Sequence, residues 1–170
     1  MSITKDELKS KLDKERLRLY NWFLGDIAQI SKVMSEEIGY DKFKEIFLKM
    51  RHKNLTDWTS EVAQTDIKEG RKNDIEGIIR FLWEPLEEEG FRYSYEKKDD
   101  GSYQFKVTNC PTANIAKESG IEEWMYLYMC LSDYSITEGY NPDIGFKRSK
   151  TIMQGDDYCD HCYFWKENKK

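Results

Sequence analysis

Apolar side chains recur every three or four residues through the first half of the chain, which is the spacing of one face of an α-helix. This pattern predicts a charged helix over residues 4–19, opened by a cap at Thr4, and a longer helix from Phe23 to a break at Gly39. Stripes of this kind are typical of a packed core or of a dimer surface. The first half is therefore interpreted as a helical scaffold without chemistry, and a homodimer through its helices is one arrangement that the pattern allows.

Two further helices are expected before residue 90. The third would begin at Asn54 or Thr56, and the fourth would be capped by Asn73. Pro85 should loosen the last turns of the fourth helix, because proline lacks a backbone N–H, and Gly90 should end it. The side chains of the third helix that are expected to face inward are Trp58, Val62 and Ile67.

The spacing of apolar residues changes from a helical period to strict alternation at Phe91, which indicates β-structure. The alternation continues on both sides of an Asp100-Gly101 turn and predicts a hairpin. A helix is then expected over about residues 112–134, with an interruption near Gly120.

A second hairpin is predicted at the end of the chain, where strand-like runs between Phe146 and Trp165 flank a turn signal at Gly155-Asp156-Asp157. The order of helices, two strands, a helix and two strands predicts an α+β fold. In this fold a helical N-terminal half accompanies a four-stranded antiparallel sheet with a covering helix. We expect a single domain over residues 1–170, made of a helical scaffold portion over 1–72, an α+β portion over 73–165 and a charged tail over 166–170.

The chain of 170 residues carries 27 basic and 32 acidic side chains, which gives a net charge of −5. This excess of acid disfavours binding to phosphate backbones, so nucleic acid is not expected as a partner. No run of about 18 apolar residues occurs, so no membrane span is expected. The start of the chain does not resemble a signal peptide, and cysteines without an export signal are expected to stay reduced. Together these features favour a cytoplasmic protein.

Reactive side chains are unusually dense in the second hairpin, since strands ordinarily carry β-branched and aromatic residues. On the last strand Cys159 and His161 would point to one face and Cys162 to the other. Cys159 and Cys162 therefore cannot hold one ion as a zinc knuckle does, and Cys162 is interpreted as an apolar filler. A different zinc set, Cys159 and His161 with Cys110 or Cys130, is left open as the main rival of a thiol site.

The helix before this hairpin carries a second group of reactive side chains. Tyr126, Cys130 and Asp133 are spaced i, i+4 and i+7, so all three would share one face of an α-helix. A carboxylate on a face that packs against a sheet needs a partner, because a buried unpaired charge is very costly. Arg148 could supply that partner. An Asp133–Arg148 ion pair without any chemistry is the alternative interpretation.

These residues carry a resemblance to a known family. The motifs are Arg148-Ser149-Lys150-Thr151-Ile152, Gly155-Asp156 and Cys159-Asp160, preceded by Cys110-Pro111, Cys130 and Asp133. In this pattern the sequence resembles the L-2-amino-thiazoline-4-carboxylate hydrolase-like family over about residues 73–165. The resemblance implies ring-opening hydrolysis of a cyclic amidine, and a fold related to the 4-vinyl reductase domain.

The chemistry of such a reaction suggests roles for the matched residues. We expect Cys159 or Cys110 to act as the nucleophile or to orient the attacking water, and Asp133 to serve as general acid/base or to hold the amidinium. The residues expected to bind the substrate are Tyr126, Cys130, Arg148, Thr151, Asp156 and Asp160. No cofactor is expected, with zinc as the alternative. Two other functions compete with hydrolysis. The protein could be a non-catalytic module that binds a small molecule, or a zinc-binding structural protein.

Overall fold

The computed structural model describes residues 5–167 of the chain, and the side chains of residues 14–167. Two long helices open it, α1 (Lys5–Ile38) and α2 (Tyr40–Lys68), separated by Gly39 at φ +84°. The predicted break at Gly39 is confirmed, because this positive φ favours glycine. The predicted cap at Thr4 lies outside the described residues.

The other two breaks predicted in this region are wrong. The charged helix predicted over 4–19 and the next one from Phe23 belong to the single helix α1, and α2 runs without interruption through Asn54 and Thr56. Thr56 is accommodated inside the helix because its hydroxyl donates back to the carbonyl of His52 at 2.8 Å. A polar residue that could cap a helix is thus here an interior residue.

The outward faces of the two long helices also differ from the prediction. Ile67 and Trp58 were expected to face inward, yet they are 60% and 46% exposed. On α1 the buried side chains among residues 14–38 are Leu24, Ala28 and Ser31, while Phe23 is 48% exposed. The homodimer through these helices stays a prediction.

A third helical region is built from α3 (Ile75–Ile78), a π-helical turn (Ile79–Trp83) and α4 (Glu84–Glu88). Its cap is Asp74 rather than the predicted Asn73, since Oδ1 of Asp74 accepts the N–H of Gly77 at 3.0 Å. The irregular π turn comes directly before the segment that holds Pro85. Gly90, at φ +94°, ends the helical region as predicted.

The sheet contains four antiparallel strands in the order β1-β2-β4-β3. A layer of helices follows β2 in the chain and packs against this sheet. The predicted α+β fold is therefore confirmed. The strands are β1 (Arg92–Lys97), β2 (Tyr103–Asn109), β3 (Ile144–Lys147) and β4 (Cys162–Trp165). The covering elements are α5 (Pro111–Ser119), α6 (Glu122–Met125), a π-helical turn (Tyr126–Cys130) and α7 (Ser132–Tyr140).

The last two strands pair as predicted, but they do not form a tight hairpin. Lys147 opposes Cys162, and residues 148–161, here called the site loop, lie between them. The loop contains a 3-10 turn (Ile152–Gln154) and Gly155 at φ +101°, and Cys159 forms an isolated bridge with Val107 of β2. Arg148 therefore lies on a loop and not on a strand face.

Helix α7 approaches α2 closely enough to exclude a side chain between them. A Cβ atom added to Gly139 of α7 would lie 2.5 Å from Cα of Thr56 on α2. The glycine permits this approach, which fixes the middle of α2 against the end of the covering helix α7. None of the helices in the described part of the chain is both long and apolar enough to cross a membrane.

Candidate active site

A cavity of about 270 Å³ lies where α2, the third helical region, α7 and the site loop meet. Its lining is largely apolar and includes Leu55, Trp83 and Met153. The charged, thiol and imidazole side chains that reach it are Arg51, Cys110, Cys130, Asp133, Arg148, Cys159 and His161. A mainly apolar cavity with a few convergent polar groups is the usual form of a small-molecule site.

Most of the residues that the sequence singled out meet at this cavity, although they come from four separate parts of the chain. They are Cys110, Cys130, Asp133, Arg148, Cys159 and His161. Thr151, which is buried, lies directly behind them. Its hydroxyl is 3.7 Å from Sγ of Cys159 and 3.8 Å from Sγ of Cys130, so it bridges two of the thiols.

Asp156, Asp160 and Tyr126 were also predicted as site residues, but they do not line the cavity. Asp160 accepts the backbone N–H groups of Ser149 and Lys150 at 2.8 Å and 2.5 Å, and Oδ2 of Asp156 accepts the N–H of Thr151 at 2.8 Å. Both carboxylates thus hold the site loop in shape. Asp156 and Asp160 belong to the same sequence motif as Cys159 because all three lie on the site loop.

Tyr126 is displaced from the cavity by the π-helical turn that begins with it. The prediction assumed a regular α-helix, in which residues i, i+4 and i+7 share a face. The π turn over Tyr126–Cys130 widens the helix, so Cys130 and Asp133 reach the cavity while Tyr126 does not. Single π turns of this kind occur frequently at functional sites.

The polar centre of the cavity is a contact among Asp133, Arg148 and His161. Nη1 of Arg148 donates to Oδ2 of Asp133 at 2.7 Å, and Nη2 donates to the carbonyl of Cys130 at 2.9 Å. The Arg148 side chain is 4% exposed and that of Asp133 is 17% exposed. Burial by itself lowers the pKa of Arg148, but the attraction of Asp133, with smaller contributions from Cys130, Cys159 and Tyr126, together outweighs it and leaves the pKa raised. The guanidinium is therefore charged and fixes the carboxylate.

Asp133 retains an oxygen for other partners. Both of its protein contacts, to Arg148 and to Nε2 of His161 at 3.3 Å, use Oδ2. Among residues 14–167 no donor is bound to Oδ1. This oxygen belongs to a side chain that lines the cavity, so a ligand can reach it.

His161 likewise has one engaged and one free ring nitrogen. Nε2 lies 3.3 Å from both Arg148 Nη1 and Asp133 Oδ2, so the tautomer decides which of the two contacts is a hydrogen bond. Nδ1 is buried and has no partner among the described residues. The ring packs edge-on against Trp83 at 5.0 Å between centroids, which fixes its plane. A buried ring nitrogen without a partner is a feature that a bound ligand would resolve.

Two of the three cavity thiols are held in the neutral form by burial. Burial raises the pKa of Cys110 to about 11 and that of Cys130 to about 12, because the thiolate form is desolvated. The neighbouring Arg148 offsets only part of this effect at Cys130. The sulfur of Cys159 accepts the backbone N–H of Ile152 at 3.3 Å.

Within residues 14–167 no three His, Cys, Asp or Glu side chains are grouped so that they could hold a metal ion. Cys159, His161 and Cys110, which the zinc alternative combines, line the same cavity. The zinc alternative stays a prediction.

The sequence interpretation missed the part of the site that comes from α2. Arg51, Leu55 and Trp58 line the cavity, so the first half of the chain is more than scaffold. They are spaced i, i+4 and i+7 on one helix face. A cation within an otherwise apolar helical stripe was the signal that could have indicated Arg51.

The fold and the cavity together define an α+β domain whose helices, sheet and site loop enclose a largely apolar cavity. The sequence model of the L-2-amino-thiazoline-4-carboxylic acid hydrolase family matches residues 20–163, and the chain belongs to this family. The match begins within α1, so it takes in the two long helices as well as the C-terminal motifs.

Among solved structures the fold is similar to the phenol-responsive sensory domain of the transcription activator PoxR, determined with phenol. The TM-score is 0.51 at 11% sequence identity, and the match covers 82% of this chain and 73% of that chain. At this identity the likeness describes the fold alone. A search of curated proteins returned no match.

Proposed function

We propose that the cavity binds a small cyclic amidine carboxylate, such as 2-amino-thiazoline-4-carboxylate, and opens its ring by hydrolysis. The observation that carries this proposal is the convergence of Asp133, Arg148, His161 and Cys159 on one cavity in a member of this hydrolase family. Pockets for drug-sized ligands usually measure roughly 300–1,000 Å³. A cavity of about 270 Å³ suits a single small ring.

The reaction adds one water molecule to the substrate. The amidine carbon lies between nitrogen and sulfur, and it gains the oxygen of water while the ring carbon–sulfur bond breaks. One hydrogen of the water goes to the leaving sulfur, which becomes a thiol, and the other goes to the ring nitrogen. The carbon becomes the carbonyl of a carbamoyl group on that nitrogen. Sulfur is the better leaving atom, since a thiol loses its proton far more readily than an amine.

Asp133 and Cys159 are assigned the two direct roles. Oδ1 of Asp133 is open to hold the amidinium and to exchange a proton with the attacking water. Cys159 either orients that water or attacks the amidine carbon itself, in which case the ring carbon–sulfur bond breaks and water then releases the carbon from Cys159. The N–H of Ile152 holds the Cys159 sulfur in place. Cys110 suits nucleophilic attack less well, because burial raises its pKa to about 11.

Arg148 and His161 support these groups. Both Nη atoms of Arg148 are engaged by the protein, so we assign it to positioning Asp133 rather than to gripping the substrate carboxylate. Nδ1 of His161 has no protein partner within the described chain and is assigned to donating a proton to the leaving sulfur.

Thiol release from 2-amino-thiazoline-4-carboxylate by purified cysteine variants tests these roles. Cys159→Ser should lower turnover by about a hundred-fold or more, whereas Cys110→Ser should keep most of it. Full activity in a folded Cys159→Ser protein would reject the assignment of the thiol. Metal analysis of the same preparations addresses the alternative, because one equivalent of zinc lost together with folding on chelation would displace the thiol mechanism.

A non-catalytic role as a small-molecule binding module is the second candidate. The raised pKa values of Cys110 and Cys130 and the largely apolar lining favour it, since neutral thiols act as apolar surface. The similarly folded sensory domain of PoxR was determined with phenol, and an apolar ring of that size is the corresponding ligand class here. Binding of phenol without any turnover of the thiazoline would favour this candidate.

A further inference from the structure

Arg51 is a half-buried cation for which residues 14–167 supply no counter-ion. Nη2 donates to Oγ of Ser132 at 2.9 Å and to the carbonyl of Tyr128 at 3.2 Å, and the guanidinium lies 4.2 Å from the centroid of the Tyr128 ring. All of these partners are neutral. Among residues 14–167 no carboxylate lies within ion-pair distance of Arg51. An arginine stays charged under all ordinary conditions, so this charge is uncompensated within the described part of the chain.

The guanidinium also has donors to spare. Nε is buried and has no acceptor in the described part of the protein. An orphaned buried donor is costly, which is why most such groups in native proteins have a partner. Burial lowers the pKa of Arg51, in keeping with a cation that no anion stabilises. The other arginine of the cavity, Arg148, shows the opposite direction because Asp133 faces it.

The charge of the cavity points to the sign of the missing partner. The charged side chains that line it are Arg51, Asp133 and Arg148. Two arginines against one aspartate leave one positive charge, with His161 counted as neutral. A single carboxylate would neutralise it.

We infer that Arg51 is the anion anchor of the cavity and binds the carboxylate of a small ligand. Only the identity of that ligand as a thiazoline rests on the proposed function. A ring anchored by Arg51 through its carboxylate would meet groups of the Asp133 cluster at the same cavity. The α2–α7 contact sets the spacing of these two ends, because Arg51 binds Ser132, the neighbour of Asp133 on α7.

A pair of matched ligands isolates this anchor from catalysis. Thiazole-4-carboxylate and its neutral carboxamide have the same ring and differ in charge, and neither carries the amidine that is hydrolysed. Calorimetric titration of the full chain should show about ten-fold or greater preference for the carboxylate. Arg51→Met, which keeps an apolar stem over Tyr128, should abolish the preference while circular dichroism stays native.

Lys53→Gln is the control, because Lys53 lies two residues away on the exposed face of α2 with its side chain 74% exposed. It removes the same charge and should keep the preference. Arg51→Gln serves as the second variant if Arg51→Met does not reach the native fold.

The outcomes separate the two proposals. A wild-type protein that binds both ligands equally, or neither, overturns the anion anchor, and so does a preference that survives in folded Arg51→Met. A preference that depends on Arg51, in a protein that leaves 2-amino-thiazoline-4-carboxylate intact, upholds the anchor and rejects the hydrolase. Both are upheld if ring opening occurs and Arg51→Met lowers its kcat/KM by about ten-fold or more.

Discussion

Two clusters of this protein combine a carboxylate with arginine, and they differ in how completely the carboxylate is bound. Asp66 on α2 accepts Nε of Arg71 at 2.7 Å through Oδ1, and Nη2 of Arg80 at 2.6 Å and the hydroxyl of Tyr140 at 2.7 Å through Oδ2. Within residues 14–167, Asp133 is bound through Oδ2 alone. Both oxygens of Asp66 are therefore occupied, whereas Asp133 keeps one open to a cavity.

The difference separates a structural cluster from a functional one. A fully satisfied buried carboxylate ties elements together, here α2, the third helical region and the end of α7, and it leaves nothing for a ligand. A carboxylate with a free oxygen, beside a histidine with an orphaned nitrogen, is stabilised further when a ligand arrives. We expect substitutions at Asp66 to change stability and those at Asp133 to change ligand chemistry.

The largest expected effect is the loss of turnover in Asp133→Asn. The amide keeps the size and one acceptor oxygen but cannot take a proton, so ring opening should fall by about 10²–10⁴-fold. Turnover of 2-amino-thiazoline-4-carboxylate per folded molecule is the measurement. Asp66→Asn is the matched control at the other cluster and should keep its turnover per folded molecule. Equal activity in the two variants would remove the distinction.

The next effect is a loss of stability in Asp66→Ala. The change leaves the buried hydroxyl of Tyr140 without an acceptor and Arg80 without its counter-ion, while Arg71 keeps its ion pair with Glu69. We expect the free energy of unfolding to fall by about 2–4 kcal/mol, measured by urea denaturation. The arginines are 40% and 37% exposed, so water limits their share of the loss. A variant as stable as the wild type would show that the cluster contributes no net stability.

Asp66 should also make the free energy of unfolding depend on pH in the acid range. Burial raises the pKa of Asp66, but the hydrogen bonds from Tyr140, Arg71 and Arg80 outweigh it and leave the pKa below its usual 3.8. Its contribution to stability is present above that unfolded-state value and is lost as the pH falls through the lower folded-state value. Asp66→Ala should therefore flatten the acid limb of unfolding free energy against pH.

The ionisation of Cys110 should lower the free energy of unfolding at alkaline pH. The expected loss is similar to, or smaller than, the loss that Asp66 causes at acid pH. Burial raises the pKa of Cys110 from 9.0 to about 11, so its contribution is complete below pH 9 and is lost as the pH rises towards 11. Two pKa units correspond to about 3 kcal/mol at most for this partly accessible thiol. Urea denaturation between pH 8 and about 11 should show a steeper decline in wild type than in Cys110→Ala. Parallel profiles would mean that Cys110 ionises freely in the folded state.

The smallest effect is expected for Cys162→Ser. Cys162 is buried on β4 but does not line the cavity, so turnover should stay within about two-fold of wild type. Stability should fall by about 1 kcal/mol or less, since the change replaces a small apolar group with a hydroxyl of similar size. A large loss of turnover would extend the thiol site beyond the cavity.

Features set by local chemistry were predicted well from the sequence. Gly39 and Gly90 end helical segments because each adopts a positive φ, and the alternation after Phe91 correctly placed β1 and β2. The motifs singled out Cys110, Cys130, Asp133 and Cys159, and these four line one cavity although they are distant in the chain.

The remaining differences arise where tertiary contacts overrule local signals. Thr56 was predicted to begin a helix, but packing of α2 against Gly139 of α7 keeps the helix continuous there. The π turn at Tyr126 changes which side chains share a face, and helical periodicity contains no sign of it. Arg51 was overlooked because its role depends on a cavity completed by residues far along the chain.

Proton NMR of 2-amino-thiazoline-4-carboxylate mixed with a small amount of the wild-type protein tests the central claim most directly. The cavity with its open Asp133 oxygen predicts that the ring signals decay over many turnovers and that an open-chain thiol with a carbamoyl group replaces them. A ring that stays intact, with a protein shown to be folded and to bind it, would contradict the account.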